Sequence, residues 1–310
     1  MRGVEERVIE AVMRQGATVD STVPLGPGDD MAMLAVGREQ VLVAADQVVE
    51  GIHFAAGTPL ALVAHKAIAR NASDVAAMAG IPVATLACAS LPSEMTPDEA
   101  EALVVALVKE AGGAGCPLVG GDTCVHRREG APLSLAVTIL ARARKDGIVV
   151  RRDGAVAGDR IIVSGPLGGS FGKDGMGRHL RFTPRLSEAH ALVDTLGARV
   201  HAMIDVSDGL GIDVARVMHA SSGARGAPLV AHLDAHRIPI ADGSSLEGAL
   251  RDGEDHELVA VIDASAPVPP TWIEIGSVVA PVDPRGVAVF LITDGEASEI
   301  SKCGWTHGNG

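Results

Sequence analysis

The chain has 310 residues, of which 47% are hydrophobic, and its formal net charge at pH 7 is −13. This length is sufficient for two domains of ordinary size. The acidic charge, the absence of tyrosine and the presence of only four phenylalanines and two tryptophans argue against a nucleic-acid-binding surface, which needs basic patches and stacking rings.

The N-terminal segment predicts an amphipathic helix that ends at Gly16, because Val4, Val8 and Val12 recur at helical spacing. This segment lacks the apolar core of a signal peptide, and no apolar run in the chain approaches the length of a membrane span. The four cysteines show neither CxxC spacing nor a secreted disulfide framework. The sequence therefore predicts a cytoplasmic protein with no membrane partner.

Residues 28–54 predict a β-hairpin, with apolar runs at 31–36 and 41–45 on either side of a polar turn. Pairing of the two strands would bring Asp29 and Asp30 to the same edge as Asp46. Converging carboxylates repel one another unless cations bind them, and an all-oxygen site suits a hard divalent metal with a phosphate ligand. The alternative is that Asp29 and Asp30 only cap a turn.

The next elements alternate between helices and strands, which predicts an α/β or α+β fold. A helix is expected over 59–79, a buried strand over 83–91, a helix over 96–111 and a strand over 133–141. The second helix opens with a capping signature, Thr96 followed by Pro97, Asp98 and Glu99. The first of these helices has polar residues in its interior, and such residues usually face water. A short apolar run ends at Gly120-Gly121-Asp122-Thr123, where paired glycines would let the backbone approach a ligand closely and Asp122 would add oxygen ligands.

A boundary is expected near residues 143–158, which divides the chain into domains of residues 1–142 and 143–310. The basic cluster there, which includes Arg152, would serve as a phosphate contact or as a solvated linker. Residues 171–185 read as an irregular, mobile segment. Short strands are expected at 160–165, 229–233, 238–240, 258–262, 272–279 and 287–292, a helix at 187–197, and a polar tail beyond them.

Two further acidic clusters lie in the second half of the chain. One follows an apolar run and precedes a helical pattern, and it contains Asp205, Asp208 and Asp213 around Gly209. The other contains Glu254, Asp255 and Glu257 and leads into the strand at 258–262. Carboxylates at the ends of strands are again typical of a site that binds cations.

Six motifs then occur in a fixed order between residues 28 and 258. They are Gly28-Asp29-Asp30, Asp46 with Glu50-Gly51-Ile52-His53-Phe54, Asn71-Ala72-Ser73-Asp74, Gly120-Gly121-Asp122-Thr123, Asp205-Val206-Ser207-Asp208-Gly209-Leu210 and Gly253-Glu254-Asp255-His256-Glu257-Leu258. This series resembles the thiamine-monophosphate kinase family, which shares a superfamily with aminoimidazole ribonucleotide synthetase and selenophosphate synthetase.

The resemblance implies an N-terminal domain that dimerises through its sheet into a barrel, a C-terminal α/β domain, and a cleft that binds ATP and several Mg²⁺ ions. Its implied reaction is direct phosphoryl transfer from ATP to thiamine monophosphate in a homodimer. The implied metal ligands are Asp30, Asp46, Asp74, Asp122, Asp208 and Asp213. The implied ATP contacts are Gly121, Asp122 and Arg152, and the implied substrate contacts are His53, Glu254, Asp255 and Trp305.

The chain departs from the family pattern at several positions. Ala44 and Ala45 stand where the family commonly has hydroxyl residues, His256 replaces a tyrosine, and Asp153 replaces a serine. Trp305 would stack on a substrate ring or serve only in packing. The alternatives to the kinase are a related ATP-dependent synthetase that acts on another acceptor, and a nucleotide-binding paralogue that has lost turnover through Ala44 and Ala45.

Overall fold

The computed structural model describes residues 7–8, 11–12, 19–144, 147–281 and 286–305. The amphipathic helix predicted up to Gly16 and the last residues of the polar tail lie largely outside this part of the chain. Within it, every helix is too short or too polar to cross a bilayer.

The first half of the chain forms a five-stranded sheet. Its strands lie in the spatial order β1-β2-β5-β3-β4, and their bounds are β1 (Ala32–Val36), β2 (Glu39–Val49), β3 (Ile81–Leu91), β4 (Leu118–Val125) and β5 (Ser134–Arg142). β1 and β2 form the predicted hairpin, in which Ala32 pairs with Val43. This register brings Asp30, just before β1, to the part of β2 that carries Asp46, as the sequence predicted.

Two helices belong to this half, α1 (Leu60–Ala77) and α2 (Pro97–Gly113). α2 begins with the predicted capping box, since the Thr96 side chain accepts from the Glu99 backbone and the Glu99 side chain accepts from the Thr96 backbone. Apolar residues of α1 such as Val63, Ile68 and Val75 pack in the core of the first sheet.

The strand β4 is longer than the sequence predicted. The apolar run was expected to end at Gly120, but pairing with β3 continues through Gly121 and Asp122 to Val125. Gly121 has φ 154°, and a Cβ atom there would lie 1.8 Å from the carbonyl oxygen of Ala87. Glycine therefore permits a close approach of β4 to the neighbouring strand β3, which a side chain at position 121 would prevent.

The second half forms a seven-stranded sheet in the order β12-β11-β8-β10-β6-β9-β7. Its strands are β6 (Arg160–Val163), β7 (Val200–Asp205), β8 (Val230–Asp234), β9 (Leu258–Ile262), β10 (Ile273–Val279), β11 (Ala288–Thr293) and β12 (Glu296–Glu299). The helices α3 (Leu186–Leu196), α4 (Leu210–Arg225) and α5 (Leu246–Arg251) accompany it. Two predictions were wrong: residues 238–240 make only one isolated bridge, and the polar tail contains β12.

The described residues thus form the predicted mixed α/β fold, with two sheets and five α-helices. The first sheet ends at Arg142 and the second begins at Arg160. The C-terminal residues Ala76 and Ala77 of α1 pack with Ile162 and Leu258 of the second sheet. Helix α1 therefore touches both cores, and its residues Arg70 and Asp74 face the space between the two halves.

Candidate functional site

A cavity of about 730 Å³ opens between the two halves. Residues from both halves line it, and most of its polar lining is charged. The lining residues are Asp30, Ala44, Ala45, Asp46, Gln47, Ile52, His53, Arg70, Asp74, Ala136, Arg152, Asp205, Ser207, Asp208 and His256. Six of the predicted site residues are among them, namely Asp30, Asp46, His53, Asp74, Arg152 and Asp208.

Helix α1 supplies one wall through residues spaced four apart, Lys66, Arg70 and Asp74, which lie on one helical face. Arg70 and Asp74 line the cavity, while the Lys66 side chain is fully buried behind it. Asn71 and Ser73 are also buried. The usual expectation that polar residues inside a helix face water is therefore wrong for α1.

Three carboxylates converge at the floor of the cavity. One oxygen from each of Asp30, Asp74 and Asp205 lies within 4.8 Å of the others. Burial raises the pKa of Asp30 to about 7, against the opposing charge of Arg152. Burial, followed by the charges of Asp46, Asp205 and Asp30, raises the pKa of Asp74 well above its usual value. Such a set is costly to ionise without a cation.

Asp205 is the member of this cluster that the sequence analysis did not name as a ligand. It ends β7, where its Oδ2 accepts from Ser73 Oγ at 2.6 Å and lies 3.1 Å from His256 Nδ1. Burial would raise the pKa of Asp205, but the hydrogen bond and charge of His256 outweigh it and lower the pKa. The position of Asp205 at a strand end was visible in the sequence, but its partners come from distant segments.

Arg152 supplies the nearest positive charge to the cluster. Its Nε donates to Asp30 Oδ2 at 2.9 Å and its Nη2 donates to Asp30 Oδ1 at 2.6 Å, while its backbone N–H donates to Asp29 at 3.1 Å. The Asp30 side chain is fully buried in this pair. Bidentate pairing of this kind fixes the geometry as well as the charge.

Of the predicted ligands, Asp208 lies in the turn between β7 and α4, whereas Asp213 lies in the first turn of α4. Arg216 pairs with both carboxylates. Asp208 lines the cavity. The buried Asp213 instead accepts from the backbone N–H groups of Asp208 and Gly209 and pairs with Arg216. Burial raises the pKa of Asp213 to about 7. The Asp213 carboxylate thus holds the turn that carries Asp208.

Asp46 and Asp122 also differ in their positions. Asp46 lines the cavity, and its Oδ2 lies 3.4 Å from Arg70 Nε. Gly121 and Asp122 are exposed on β4 and do not line the cavity. The strand register places Asp46, Val137, Ala87 and Gly121 in one row, so Gly121 lies three strand spacings, or about 14 Å, from Asp46.

The residues predicted to contact the substrate do not all lie at the cavity. His53 is buried at the edge of the cavity, and Val49 N–H donates to its Nδ1 at 3.0 Å. The Glu254 carboxylate pairs with Lys66 Nζ and Arg70 Nη1, each at 2.9 Å. Asp255 does not line the cavity, because its carboxylate accepts from Gly168 N–H and Ser170 and pairs with Arg178.

The turn that carries these acids has an unusual backbone. Gly253, Glu254 and His256 have φ values of 69°, 55° and 50°. Positive φ at two non-glycine residues is strained and is found mainly at functional sites. The backbone N–H groups of Glu254 and His256 donate to Ser207 and Val206, which fixes this turn against the end of β7. Sequence alone did not indicate this conformation.

His256 stands between two acids, with Nδ1 3.1 Å from Asp205 and Nε2 3.2 Å from Glu254. Burial would lower its pKa, but these two acids outweigh that effect and raise it to about 9. The ring is therefore an imidazolium at neutral pH and donates from both nitrogens. A tyrosine at this position would not carry that positive charge.

A second, narrower cleft of about 30 Å³ joins the main cavity. Ile52, His53, Arg70, Ser207 and Asp208 line both spaces. Phe171, Asp252, Glu254 and Trp305 line only the narrow one, which we call the side cleft. The predicted substrate residue Trp305 is 52% exposed there.

The chain is similar in sequence to several known proteins. The family described as AIR synthase related protein, N-terminal domain, matches residues 28–143. The chain is 35% identical over 294 residues to the thiamine-monophosphate kinase of Mycobacterium tuberculosis, a match that covers 88% of this chain and 84% of that protein. It is 33% identical over 256 residues to the thiamine-monophosphate kinase of Rhodopirellula baltica, which covers 76% and 75%.

A solved structure, AaThiL complexed with AMPPCP and TMP, has a TM-score of 0.80 to this fold and 25% sequence identity. The match covers 99% of both chains. The likeness therefore includes both sheets.

Proposed function

The chain belongs to the thiamine-monophosphate kinase family, and on that premise we propose that it transfers the γ-phosphate of ATP to thiamine monophosphate. The observation that carries this proposal is the cavity between the two sheets, with its converging carboxylates and the two arginines Arg70 and Arg152. A similar structure binds AMPPCP, an ATP analogue, together with TMP. The products are thiamine diphosphate and ADP.

Phosphoryl transfer asks the protein for in-line positioning and for cancellation of negative charge. The acceptor here is itself a phosphate, which is already ionised at neutral pH, so no side chain is needed as a general base. Two anions must nevertheless meet in a cavity that is rich in carboxylates. The proposal therefore requires cations beyond those that the chain supplies.

We propose that Asp30, Asp74 and Asp205 hold a divalent cation, with Asp46 and Asp208 as further ligands from the same cavity. Carboxylate oxygens are the donors that Mg²⁺ prefers. Burial and then neighbouring carboxylates raise the pKa of Asp30 and of Asp74, and this supports a site that a cation would complete. Bound Mg²⁺ ions would neutralise charge on the phosphate oxygens. Arg152 would contact ATP once Asp30 engages a cation.

The proposed homodimer would form through the open face and the edge strand of the first sheet. Apolar side chains exposed there include Val83 at 45%, Leu86 at 38%, Val119 at 64% and Val125 at 61%. Exposed apolar surface on an edge strand is typical of an interface. Two copies of this sheet would close the barrel, and we propose that Gly121 and Asp122 then reach ATP in the cavity of the partner subunit.

We propose that residues 1–142 and residues 143–310 form two functional domains. The first part would bind ATP and Mg²⁺ and dimerise, and the second would complete the cleft with Asp208, Glu254 and Trp305. Asp255 and Asp213 would act only by holding the turns that carry their neighbours. We also propose that the enzyme acts in the cytoplasm.

The test is an assay of the purified protein with ATP, Mg²⁺ and thiamine monophosphate, in which thiamine diphosphate and ADP are measured by chromatography. We expect equimolar products that require Mg²⁺, and none when unphosphorylated thiamine replaces the monophosphate. Absence of thiamine diphosphate at every Mg²⁺ concentration would contradict the proposal. Binding of ATP without turnover would instead identify a nucleotide-binding paralogue altered at Ala44 and Ala45.

A further inference from the structure

We propose that Phe171 recognises the heteroaromatic ring of the acceptor in the side cleft, and that the buried pair Lys66–His179 holds Phe171 in position for this. The inference rests on the proposed function and assigns a specificity residue to it. Phe171 lies in the irregular segment between β6 and α3. None of the six ordered motifs lies in this segment.

The side cleft connects to the main cavity in a way that suits a phosphorylated acceptor. Five residues line both spaces, so a ring in the side cleft would leave a phosphate tail in the cavity with the carboxylates and arginines. The apolar surfaces of the side cleft come from Ile52, Phe171 and Trp305. Phe171 and Trp305 are its aromatic residues, and flat rings stack on such surfaces.

The charges of the side cleft favour a cationic ring. Asp208, Asp252 and Glu254 line it together with Arg70. Glu254 pairs with Lys66 and Arg70, and Asp208 pairs with Arg216, so Asp252 supplies the negative charge beyond these pairs. The thiazolium ring of thiamine phosphates carries a fixed positive charge. Aromatic faces attract cations through their quadrupole, and the nearby carboxylates add to this attraction. A neutral or anionic ring would gain less from the same cleft.

Phe171 is held from behind by a buried imidazole. Its ring stacks on His179, with ring centroids 4.4 Å apart and an interplanar angle of 30°. Lys66 Nζ donates to His179 Nδ1 at 2.7 Å, and His179 Nε2 donates to Gly175 O at 3.0 Å. Both ring nitrogens are thus used by a neutral imidazole, in agreement with a pKa that burial and Lys66 lower to about 4.

Lys66 also contacts two of the residues that were predicted to bind the substrate, His53 and Glu254. Lys66 Nζ also donates to the His53 carbonyl at 2.6 Å and lies 2.9 Å from Glu254 Oε2. Its three donors therefore join the segments of His53, His179 and Glu254, and its Nζ lies 5.4 Å from the Phe171 ring centroid. The side cleft is narrow, and the Phe171 ring is fixed by its stacking on His179. The half-exposed side chain of Trp305 would therefore be the one that moves when a ring enters.

The chain offers a matched control in Phe182. The Phe182 ring also stacks on a buried imidazole, His256, at 4.1 Å and 16°, but Phe182 does not line the side cleft. The test compares Phe171→Leu with Phe182→Leu, after thermal melting has shown that both fold. The steady-state KM for thiamine monophosphate, the KM for ATP and kcat are measured for each, and equilibrium binding of thiamine monophosphate is measured by calorimetry.

We expect Phe171→Leu to raise the KM and the dissociation constant for thiamine monophosphate about tenfold, with the KM for ATP changed less than about twofold. Phe171→Trp should restore both values. In Phe182→Leu the ratio of the KM for thiamine monophosphate to the KM for ATP should equal that of the wild type. If Phe171→Leu and Phe182→Leu show the same ratio, the role of Phe171 is overturned while the kinase function stands.

The binding measurement separates the two proposals. If the wild type binds thiamine monophosphate without phosphorylating it, the kinase function fails, and a tenfold loss of binding in Phe171→Leu alone still supports the ring subsite. Unchanged binding in that variant overturns it. If the wild type does not bind thiamine monophosphate, both proposals are overturned.

Discussion

The guanidinium of Arg152 forms a bidentate ion pair with the carboxylate of Asp30, at 2.9 Å and 2.6 Å, across 122 positions of sequence. In this pair Arg152 provides the charge that a metal ion would provide to the same oxygens. Binding of a cation at Asp30 must therefore compete with Arg152 and make its guanidinium available to an anion. This exchange would couple the metal site to the nucleotide site.

Removal of Arg152 should have opposite effects on metal and nucleotide. We expect Arg152→Gln to bind Mn²⁺ about tenfold more tightly in the absence of ATP, because the cation no longer competes with an ion pair. The same variant should show a KM for ATP raised at least about tenfold. Manganese titration and steady-state kinetics measure the two effects. Arg151→Gln is the matched control, because Arg151 pairs with Asp153 outside the cavity; equal effects in both variants would contradict the exchange.

Substitution of Asp30 and of Asp213 should separate metal binding from folding. Asp30→Asn should lower kcat by at least about 100-fold and weaken Mn²⁺ binding. Its melting temperature should change little, because relief of the repulsion from Asp74 and Asp205 offsets the loss of the charge pair with Arg152. Asp213→Asn should lower the melting temperature, because the neutral amide loses the charge pair with Arg216. Its Mn²⁺ affinity should stay within a few-fold. Loss of Mn²⁺ binding in Asp213→Asn without loss of stability would make Asp213 a direct ligand.

The stability of the metal-free protein should fall as the pH rises from 5 to 8. Asp30 has a folded-state pKa of about 7 against an ordinary value of 3.8, so the folded state holds more protons than the unfolded state between these values. Asp213 titrates in the same sense. The stability that these two carboxyl groups contribute is therefore greatest below this range and is lost as the pH rises through about 7. We expect a fall in melting temperature of about 5 °C or more.

Millimolar Mg²⁺ should remove most of this fall, because the cation binds only the deprotonated carboxylates. Differential scanning fluorimetry with and without Mg²⁺, with Ca²⁺ as a second cation, measures the effect. A pH profile that is the same with and without either cation would show that the cluster of Asp30, Asp74 and Asp205 binds no metal.

His256 should add a separate pH dependence. Its folded-state pKa is about 9 against an ordinary value of 6.5, so its contribution to stability is complete below pH 6.5 and is lost as the pH rises through about 9. In chemical denaturation between pH 6.5 and 8, the wild type should lose about 2 kcal/mol more than His256→Gln. This range ends where Lys66, whose pKa burial lowers to about 8, begins to act in the opposite sense. Parallel profiles for the two proteins would mean that His256 is not charged in the folded state.

Mixed dimers should show whether Asp122 acts across the interface. Asp30→Asn and Asp122→Asn should each be nearly inactive alone. If the site combines Asp30 of one subunit with Asp122 of the other, a heterodimer of the two variants keeps one intact site. Random exchange of equal amounts should then restore about a quarter of wild-type activity. Each variant exchanged with itself is the control, and no recovery in verified heterodimers would place both residues in one subunit's site.

The sequence predicted the parts of the fold that depend on local pattern. The hairpin of β1 and β2 and the capping box at Thr96 follow from alternation, turn residues and a fixed spacing. The continuation of β4 through Gly120 and Gly121 was missed, because glycine usually ends a strand and only the neighbouring β3 makes it favourable here. Three residues around Pro239 were too few to define a strand.

The site was predicted as far as its residues belong to contiguous motifs. Asp30, Asp46, Asp74 and Asp208 all line the cavity, and each belongs to a short contiguous motif; their role as metal ligands stays a prediction. Asp205 was missed and Asp255 was placed on the wrong side, because neighbours in sequence at a turn point in different directions. The buried role of Lys66 depends on His179 and Glu254, more than 100 positions away, and no local pattern predicts it.

The two tryptophans of this chain lie in different environments, and their fluorescence should differ accordingly. Tyrosine is absent, and of the two tryptophans Trp272 is 4% exposed in the core, whereas Trp305 stands at the side cleft with 52% exposure. Emission from Trp272 should be blue and protected from iodide, and emission from Trp305 should be red and quenchable. The intrinsic fluorescence of the unlabelled protein therefore separates its interior from its side cleft, and entry of a ring beside Trp305 should be visible as a blue shift and reduced quenching of the red component alone.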